Sequence, residues 1–353
     1  MDELYGTNNA CLDVYKDLIY KKKNNFIIFE MKYLQHVQNF LKSNEIEYKN
    51  ELTNILIPLE GNYLINKNKK ITKFTADTLY HAHARAFDSQ NWYFELPKNV
   101  TFKSWFVELF PEEIDLIKEM NKTEYMNSQT YNILIQRIKK KMEKAKLNEY
   151  FVKLNALSPK DLLSGDSYPD TKKILVSNPI EVINLLFKSG RTRETLFEMK
   201  KDNIPAFIML REFMPIPQNM EFRCFVCNNK MRAISQYHID IFEQKLQNKI
   251  YVNEIRDRID QFYKKIKDYI IYDDCIMDLV IWDDNKKNSW KELGIFIIEF
   301  NSFGAGLLSG SALYNWNLDY NILYKNKGKS DIRVLEVEPF AQKLGRLIDN
   351  NEI

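Results

Sequence analysis

The chain predicts an α+β protein with antiparallel sheets, and three observations predict it. Helical apolar spacing dominates much of the chain before residue 200, whereas strand-like runs dominate after it. Asn228-Asn229 separates two short apolar runs, as a two-residue hairpin turn does. Two further apolar runs, 275–282 and 291–300, are joined by a polar stretch over 283–289 and so pair as antiparallel neighbours.

Composition sets the frame for these elements. The 353 residues suffice for two or three domains, and 45% hydrophobic with 28% charged residues fits a globular chain with a sizeable core. A net charge of +3, from 51 basic and 48 acidic residues, argues against a dedicated nucleic-acid binder. Residues 1–5 offer neither a basic n-region nor an apolar h-region, and no apolar stretch approaches the roughly 20 residues that span a bilayer. The expectation is therefore a cytoplasmic protein without direct membrane contact.

Residues 1–90 read as a separate α/β extension. Segments 10–20 and 30–43 have helical spacing, and 52–66 reads as a hairpin centred on Gly61-Asn62. Residues 67–70 read as a solvated lysine turn. His81 and His83 have no third ligand in sequence and read as polar surface. From residue 92 the chain becomes aromatic and extended up to 109. A helix begins at Pro111, with Glu112 and Glu113 favouring its dipole. A second covers 128–146 and is basic toward its C-terminal end. That basic run suits either a phosphate or RNA patch or, more simply, a solvated helix face.

Segment 149–155 is a short strand carrying Lys153, followed by a loop over 158–166 and helices over 179–188 and 191–199. Strands follow at 206–214, 220–227 and 230–236, then a helix over 247–269 and the pair 275–282 and 291–300. Cys224 and Cys227 form a C-x-x-C within a strand. Their odd separation puts the sulfurs on opposite faces, which suits buried structural thiols better than a zinc or redox pair.

The chemistry concentrates in the second half. Glu299 and Asn301 stand two apart at the end of an apolar strand, so both side chains point to one face. A carboxylate and an amide oxygen make a hard-oxygen pair suited to Mg²⁺. Glu221 and Arg223 share a face of their own strand. Asp278 is an acid inside an apolar strand and falls beside Glu299 and Asn301 when the two strands pair. Lys153 supplies a cation for phosphates, and Arg223 supplies a second. There is no Gly-x-x-x-x-Gly-Lys-Ser/Thr loop and no Gly-x-Gly-x-x-Gly after a strand, which excludes P-loop, Rossmann and kinase sites.

This order of lysine strand, connecting strand, Glu-x-Arg strand, Asp strand and Glu-x-Asn strand resembles the ATP-grasp superfold. More specifically, it resembles the cell division cycle protein 123 family. The residues carrying that resemblance are Phe151-Val-Lys-Leu-Asn155 with Ser158-Pro-Lys-Asp161, Leu210-Arg211, Glu221-Phe-Arg-Cys-Phe-Val226, Ala233-Ile-Ser-Gln236, Asp278 and Glu299-Phe-Asn-Ser-Phe-Gly304. It covers roughly residues 92–325. The fold implied is an ATP-grasp-like α+β domain over 91–330 with a smaller lobe inserted over about 145–215. The nucleotide would lie between antiparallel sheets, and a C-terminal helix would follow over 331–353.

The resemblance also implies ATP and Mg²⁺ as cofactors and the γ subunit of translation initiation factor 2 as partner, in assembly of that heterotrimer. It assigns Lys153, Asn155, Ser158, Lys160 and Arg223 to the nucleotide's phosphate side. It assigns Met209, Leu210, Arg211 and Glu212 to a hinge against adenine, and Asp278, Glu299 and Asn301 to Mg²⁺. The sequence differs from the family pattern at Glu299, usually aspartate, at Ser302, usually proline, and at Glu212, usually basic. The loop after Gly304 is longer. An alternative within the same superfold is a ligase that joins a carboxylate to an amine through an acyl-phosphate.

Overall fold

A computed structural model describes residues 27–29, 62–65, 71–74, 85–119, 128–163, 171–201, 204–282, 294–304, 309–316 and 318–338. The first three segments are strands β1 (Ile27–Phe29), β2 (Asn62–Ile65) and β3 (Ile71–Phe74), which form an antiparallel sheet in that order. β2 pairs with β3 from Asn62 onward, with Asn62 opposite Phe74, so Asn62 belongs to a strand and not to the centre of a turn. Asn62 starts a strand that Tyr63, Leu64 and Ile65 continue, and the β preference of Tyr63 and Ile65 outweighs the local turn signal. The helical spacings at 10–20 and 30–43, His81 and His83 all lie outside the described residues.

The remaining described chain divides into two compact units, with residues 85–94 and 102–215 in the first and residues 95–101 and those from 216 onward in the second. In the first unit a short helix α1 (Ser89–Trp92) precedes β4 (Ser104–Leu109). Helices α2 (Pro111–Glu119) and α3 (Gln129–Ala145) follow. Glu113 accepts from the Phe110 backbone N–H at 2.9 Å, and the Ser128 hydroxyl accepts from Tyr131 N–H at 3.1 Å. Each side chain satisfies an orphan donor at a helix start. Lys146, in left-handed conformation with φ 56°, closes α3.

Next come β5 (Tyr150–Leu154), β6 (Leu175–Val176), α4 (Pro179–Lys188), α5 (Gly190–Lys201) and β7 (Ala206–Glu212). Asn178 caps α4 through Glu181 N–H, with Pro179 at the first helical position. The four strands form a sheet in the order β4-β7-β5-β6, antiparallel throughout. The basic end of α3 is a solvated face apart from Arg137. That guanidinium pairs with Glu113 at 2.7 Å and lies over the Phe110 ring, tying α3 to α2.

The second unit holds β8 (Glu221–Val226), β9 (Met231–Gln236), α6 (Lys249–Ile266), β10 (Cys275–Ile281), β11 (Ile295–Asn301), α7 (Tyr320–Lys325) and β12 (Asp331–Arg333). Its five-stranded sheet runs β11-β10-β8-β9-β12, with β12 parallel to β9 and the other pairs antiparallel. Asn228 and Asn229 both adopt positive φ, 52° and 54°, which matches the twist a two-residue hairpin requires. α6 buries Ile255, Ile259, Phe262 and Ile266, a stripe at helical spacing, and packs against β9 and β12.

On one sheet face Phe225, Ala233 and Ile276 pack with Tyr314 and Leu323. Cys224, Cys227 and Cys275 are buried free thiols, and burial pushes each well up from the ordinary thiol range. The sheet-forming segments expected after residue 200 are all present, and the fold is α+β.

Candidate functional site

Strand register builds the site of the second unit. Directly opposed residues on neighbouring strands project from the same face of a sheet. Asp278 on β10 is opposed by Arg223 on β8 and by Glu299 on β11. Arg223 is opposed in turn by Ser235 on β9, and Ser235 by Arg333 on β12. One face therefore carries an unbroken row of Glu299, Asp278, Arg223, Ser235 and Arg333 across all five strands.

A bulge makes this row possible. The β10–β11 register shifts between Asp278, which faces Glu299, and Leu279, which faces Ile297, leaving Ile298 as an extra residue. Continuing the earlier register would set Glu299 opposite Met277, on the other face. The segment 100–101 holds β11 just before the bulge. Ile297 N–H donates to Val100 O at 2.8 Å, and the Thr101 hydroxyl donates to Ile297 O at 2.7 Å.

Arg223 forks onto Asp278, Nε to Oδ1 at 2.9 Å and Nη2 to Oδ2 at 2.8 Å. Its Nη1 donates to Gly310 O at 2.7 Å, and its guanidinium lies 4.8 Å from the Tyr237 ring centroid. Asn301 Nδ2 donates to Asp278 Oδ2 at 3.0 Å and to Glu299 Oε1 at 3.4 Å. Asp278 is only 3% exposed and Arg223 9%, so the pair is a desolvated one. Burial pushes the Asp278 carboxyl above the ordinary range and Arg223 pulls it back, while Glu299 and Glu221 push it up again. Burial works against the Arg223 charge, yet Asp278 more than offsets it and holds the guanidinium firmly protonated.

These residues fit a divalent cation. Asp278, Glu299 and the Asn301 amide form a hard-oxygen set on one face, and Glu221 adds a further negative charge acting on Asp278. Among the described residues no group of three or more His, Cys, Asp or Glu forms a ready cage. The set therefore depends on Asn301 turning its amide oxygen toward the carboxylates, where its nitrogen now points.

In the first unit the expected site residues follow a different logic. Lys153 opposes Met209 and Phe151 opposes Arg211, so Lys153, Met209 and Arg211 share one sheet face while Leu210 and Glu212 take the other. Lys153 is buried, and Arg211 lies over the Phe102 ring at 5.3 Å. Met209 and Leu210 belong to the core. Asn155 is fully buried in a left-handed turn with φ 50°. Its Nδ2 donates to Asp88 Oδ2 at 2.6 Å and to Pro205 O at 3.1 Å, and its Oδ1 accepts from Phe207 N–H at 2.7 Å.

Ser158 is buried and Lys160 exposed. Next to Lys160, Asp161 ties this segment to the residue before α5, its Oδ1 accepting from the Ser189 hydroxyl at 2.6 Å. Lys153, Asn155, Ser158, Lys160 and Arg211 thus lie in one unit, and Arg223, Asp278, Glu299 and Asn301 in the other.

Sequence reasoning did not single out three contributors. Tyr237 lies under Arg223, and alternation from Ser235 could have found it. Gly310 gives only a backbone carbonyl, which sequence does not advertise. Arg333 completes the row, forking onto Asp319 at 2.8 and 2.6 Å and lying over the Tyr314 ring at 4.2 Å. The Ile-Ser-Gln run is explained as scaffolding. Ser235 Oγ accepts from Leu313 N–H at 3.1 Å, and Gln236 Oε1 accepts from Leu335 N–H at 2.9 Å.

Comparison with known proteins gives a consistent picture. A family model described as D123 matches residues 111–346. A CDC123-like protein of Acanthamoeba polyphaga mimivirus is 30% identical over 316 residues, which is 86% of this chain and 92% of that protein. A translation initiation factor eIF2 assembly protein of Dictyostelium discoideum is 31% identical over 147 residues, 40% of this chain and 37% of that protein. The solved structure of Cdc123 from Schizosaccharomyces pombe shares the fold with a TM-score of 0.56 at 22% identity, covering 72% of this chain and 97% of that one.

Proposed function

This chain belongs to the D123 family, and from that premise we propose that it serves the assembly of translation initiation factor 2 in the cytoplasm. In this reading it binds the γ subunit and holds ATP with Mg²⁺ at the Asp278 row. The observation that carries the nucleotide half is the same-face row of Arg223, Asp278 and Glu299 with Asn301 beside it. The assembly half is supported by relatives named as eIF2 assembly proteins, each matched over less than half of its length.

Asp278, Glu299 and Asn301 would hold Mg²⁺, which when bound neutralises phosphate charge. Arg223 would bind a phosphate through its planar fork. Lys153 on β5 and Lys160 would add cationic contacts, and Ser158 and Asn155 would shape the loop that carries Lys160. Met209, Leu210, Arg211 and Glu212 would offer backbone groups to adenine. The proposed activity is binding, which requires no rapid turnover. No helix among the described residues is long and apolar enough to cross a membrane.

The test pairs calorimetry with pull-down. ATP binds the full chain only with Mg²⁺ present, and Asp278→Ala and Asn301→Ala each remove that binding. Wild type retains the γ subunit on a column. Unchanged nucleotide affinity in both folded variants overturns the site. Loss of γ-subunit capture, with ATP hydrolysis stimulated by an amine acceptor, favours the ligase alternative.

A further inference from the structure

The Asp278 carboxylate already has a cation. Both of its oxygens accept from the Arg223 fork, at 2.9 and 2.8 Å, and Oδ2 also accepts from Asn301 at 3.0 Å. The guanidinium is fixed on its far side by Gly310 O and beneath by Tyr237. Asp278 and Arg223 are buried, and Tyr237, Glu299 and Asn301 around them are half-buried. A divalent cation approaching Asp278 alone meets a guanidinium in its place, and displacing that group strands a buried charge, which is strongly unfavourable. The displacement becomes affordable when a second oxyanion arrives to receive the fork. A phosphate does so, because its oxygens match the two parallel N–H donors of arginine.

We propose that Arg223 is a specificity-determining residue that excludes a bare divalent cation from Asp278 and admits one only together with an anionic polyphosphate. The inference rests on the nucleotide reading of the same site and adds an order to it. The guanidinium exchanges its carboxylate for a phosphate as the carboxylate exchanges its guanidinium for the metal. Neither exchange is favourable alone, so metal and polyphosphate bind with positive cooperativity. No bond is made or broken.

The probe is Mn²⁺ alone, titrated into the full chain at neutral pH and followed by the paramagnetic resonance of the unbound ion. Mg–ATP binding is measured calorimetrically on the same samples. Arg223→Gln binds Mn²⁺ alone about 100-fold or more tightly than wild type, because the occupant of the carboxylate is gone. The same variant binds Mg–ATP more weakly than wild type. In Arg223→Gln/Asp278→Asn the gain for Mn²⁺ disappears.

Arg223→Lys keeps the charge but cannot fork. It gives a smaller gain and provides the measurement should the glutamine variant not fold. Equal Mn²⁺ affinity in wild type and these variants, with wild type still binding Mg–ATP, overturns the exclusion and leaves the nucleotide reading intact. A folded wild type that binds no Mg–ATP overturns both.

Discussion

The five-stranded and four-stranded sheets of this molecule treat polar residues in opposite ways. In the five-stranded sheet, charges from three strands are brought side by side on one face, where Arg223 and Asp278 satisfy each other. At the end of β5 in the four-stranded sheet, the conspicuous polar residue Asn155 serves the fold. Its amide bridges Asp88, Pro205 and Phe207 across sequence separations of 67, 50 and 52 residues. The difference teaches that a buried polar residue of a candidate site can serve the fold, as Asn155 does, or be matched to an opposite charge on the sheet face, as Asp278 is.

The largest expected effect breaks the charged row. Asp278→Ala leaves Arg223 buried without its partner, and breaking a buried pair in this way costs about 3–5 kcal/mol. Urea denaturation should show the loss even without nucleotide. A stability unchanged within about 1 kcal/mol would mean that Arg223 swings to solvent and that the row is not rigid.

A second effect belongs to the four-stranded unit. Burial pushes the Asp88 carboxyl up to about 6, against the pull of Arg85 and the Asn155 hydrogen bond. An acid raised on folding stabilises the fold when protonated. Its contribution is complete below its unfolded value of 3.8 and is lost as pH rises through about 6. Wild type should therefore lose about 2 kcal/mol relative to Asp88→Asn between pH 4 and pH 8. Parallel stability curves for the two proteins over that range would show that Asp88 has no such role.

Asn155→Ala sharpens the contrast between the sheets. It leaves an Asp88 oxygen, the Pro205 carbonyl and the Phe207 N–H without this partner, at a cost of about 2 kcal/mol. Mg–ATP affinity of the folded protein should stay within about threefold, a change of under 1 kcal/mol. A tenfold loss of affinity with unchanged stability would move Asn155 from scaffold to ligand contact.

Much of the second sheet is legible in sequence because its signals are local. Period-2 spacing places Glu221 with Arg223 and Glu299 with Asn301, and Asn228-Asn229 announces its own turn. Gly61-Asn62 is a strong turn signal, yet Asn62 opens β2 opposite Phe74, because a local turn signal yields to the strand preference of the residues after it. The Arg333 row position was invisible, since β12 joins the sheet in parallel at a distance of about a hundred residues from Ser235. The bulge was also invisible. Nothing in Ile297-Ile298 marks which isoleucine is extra, yet that choice decides the face on which Glu299 lies.

That bulge gives the smallest expected effect and the most local one. Thr101 donates to the Ile297 carbonyl immediately before the extra residue, and both groups are buried. Thr101→Val keeps the shape and removes the donor, costing about 1–2 kcal/mol by leaving the carbonyl with one partner fewer. The informative measurement is on the neighbouring strand. If the hydrogen bond pins the bulge, amide exchange at Glu299 and Phe300 speeds up in the variant while exchange along β8 does not. Uniform acceleration across the sheet would mean that the pairing of β10 with β11, and not the tether at Thr101, keeps Glu299 on the face of Asp278.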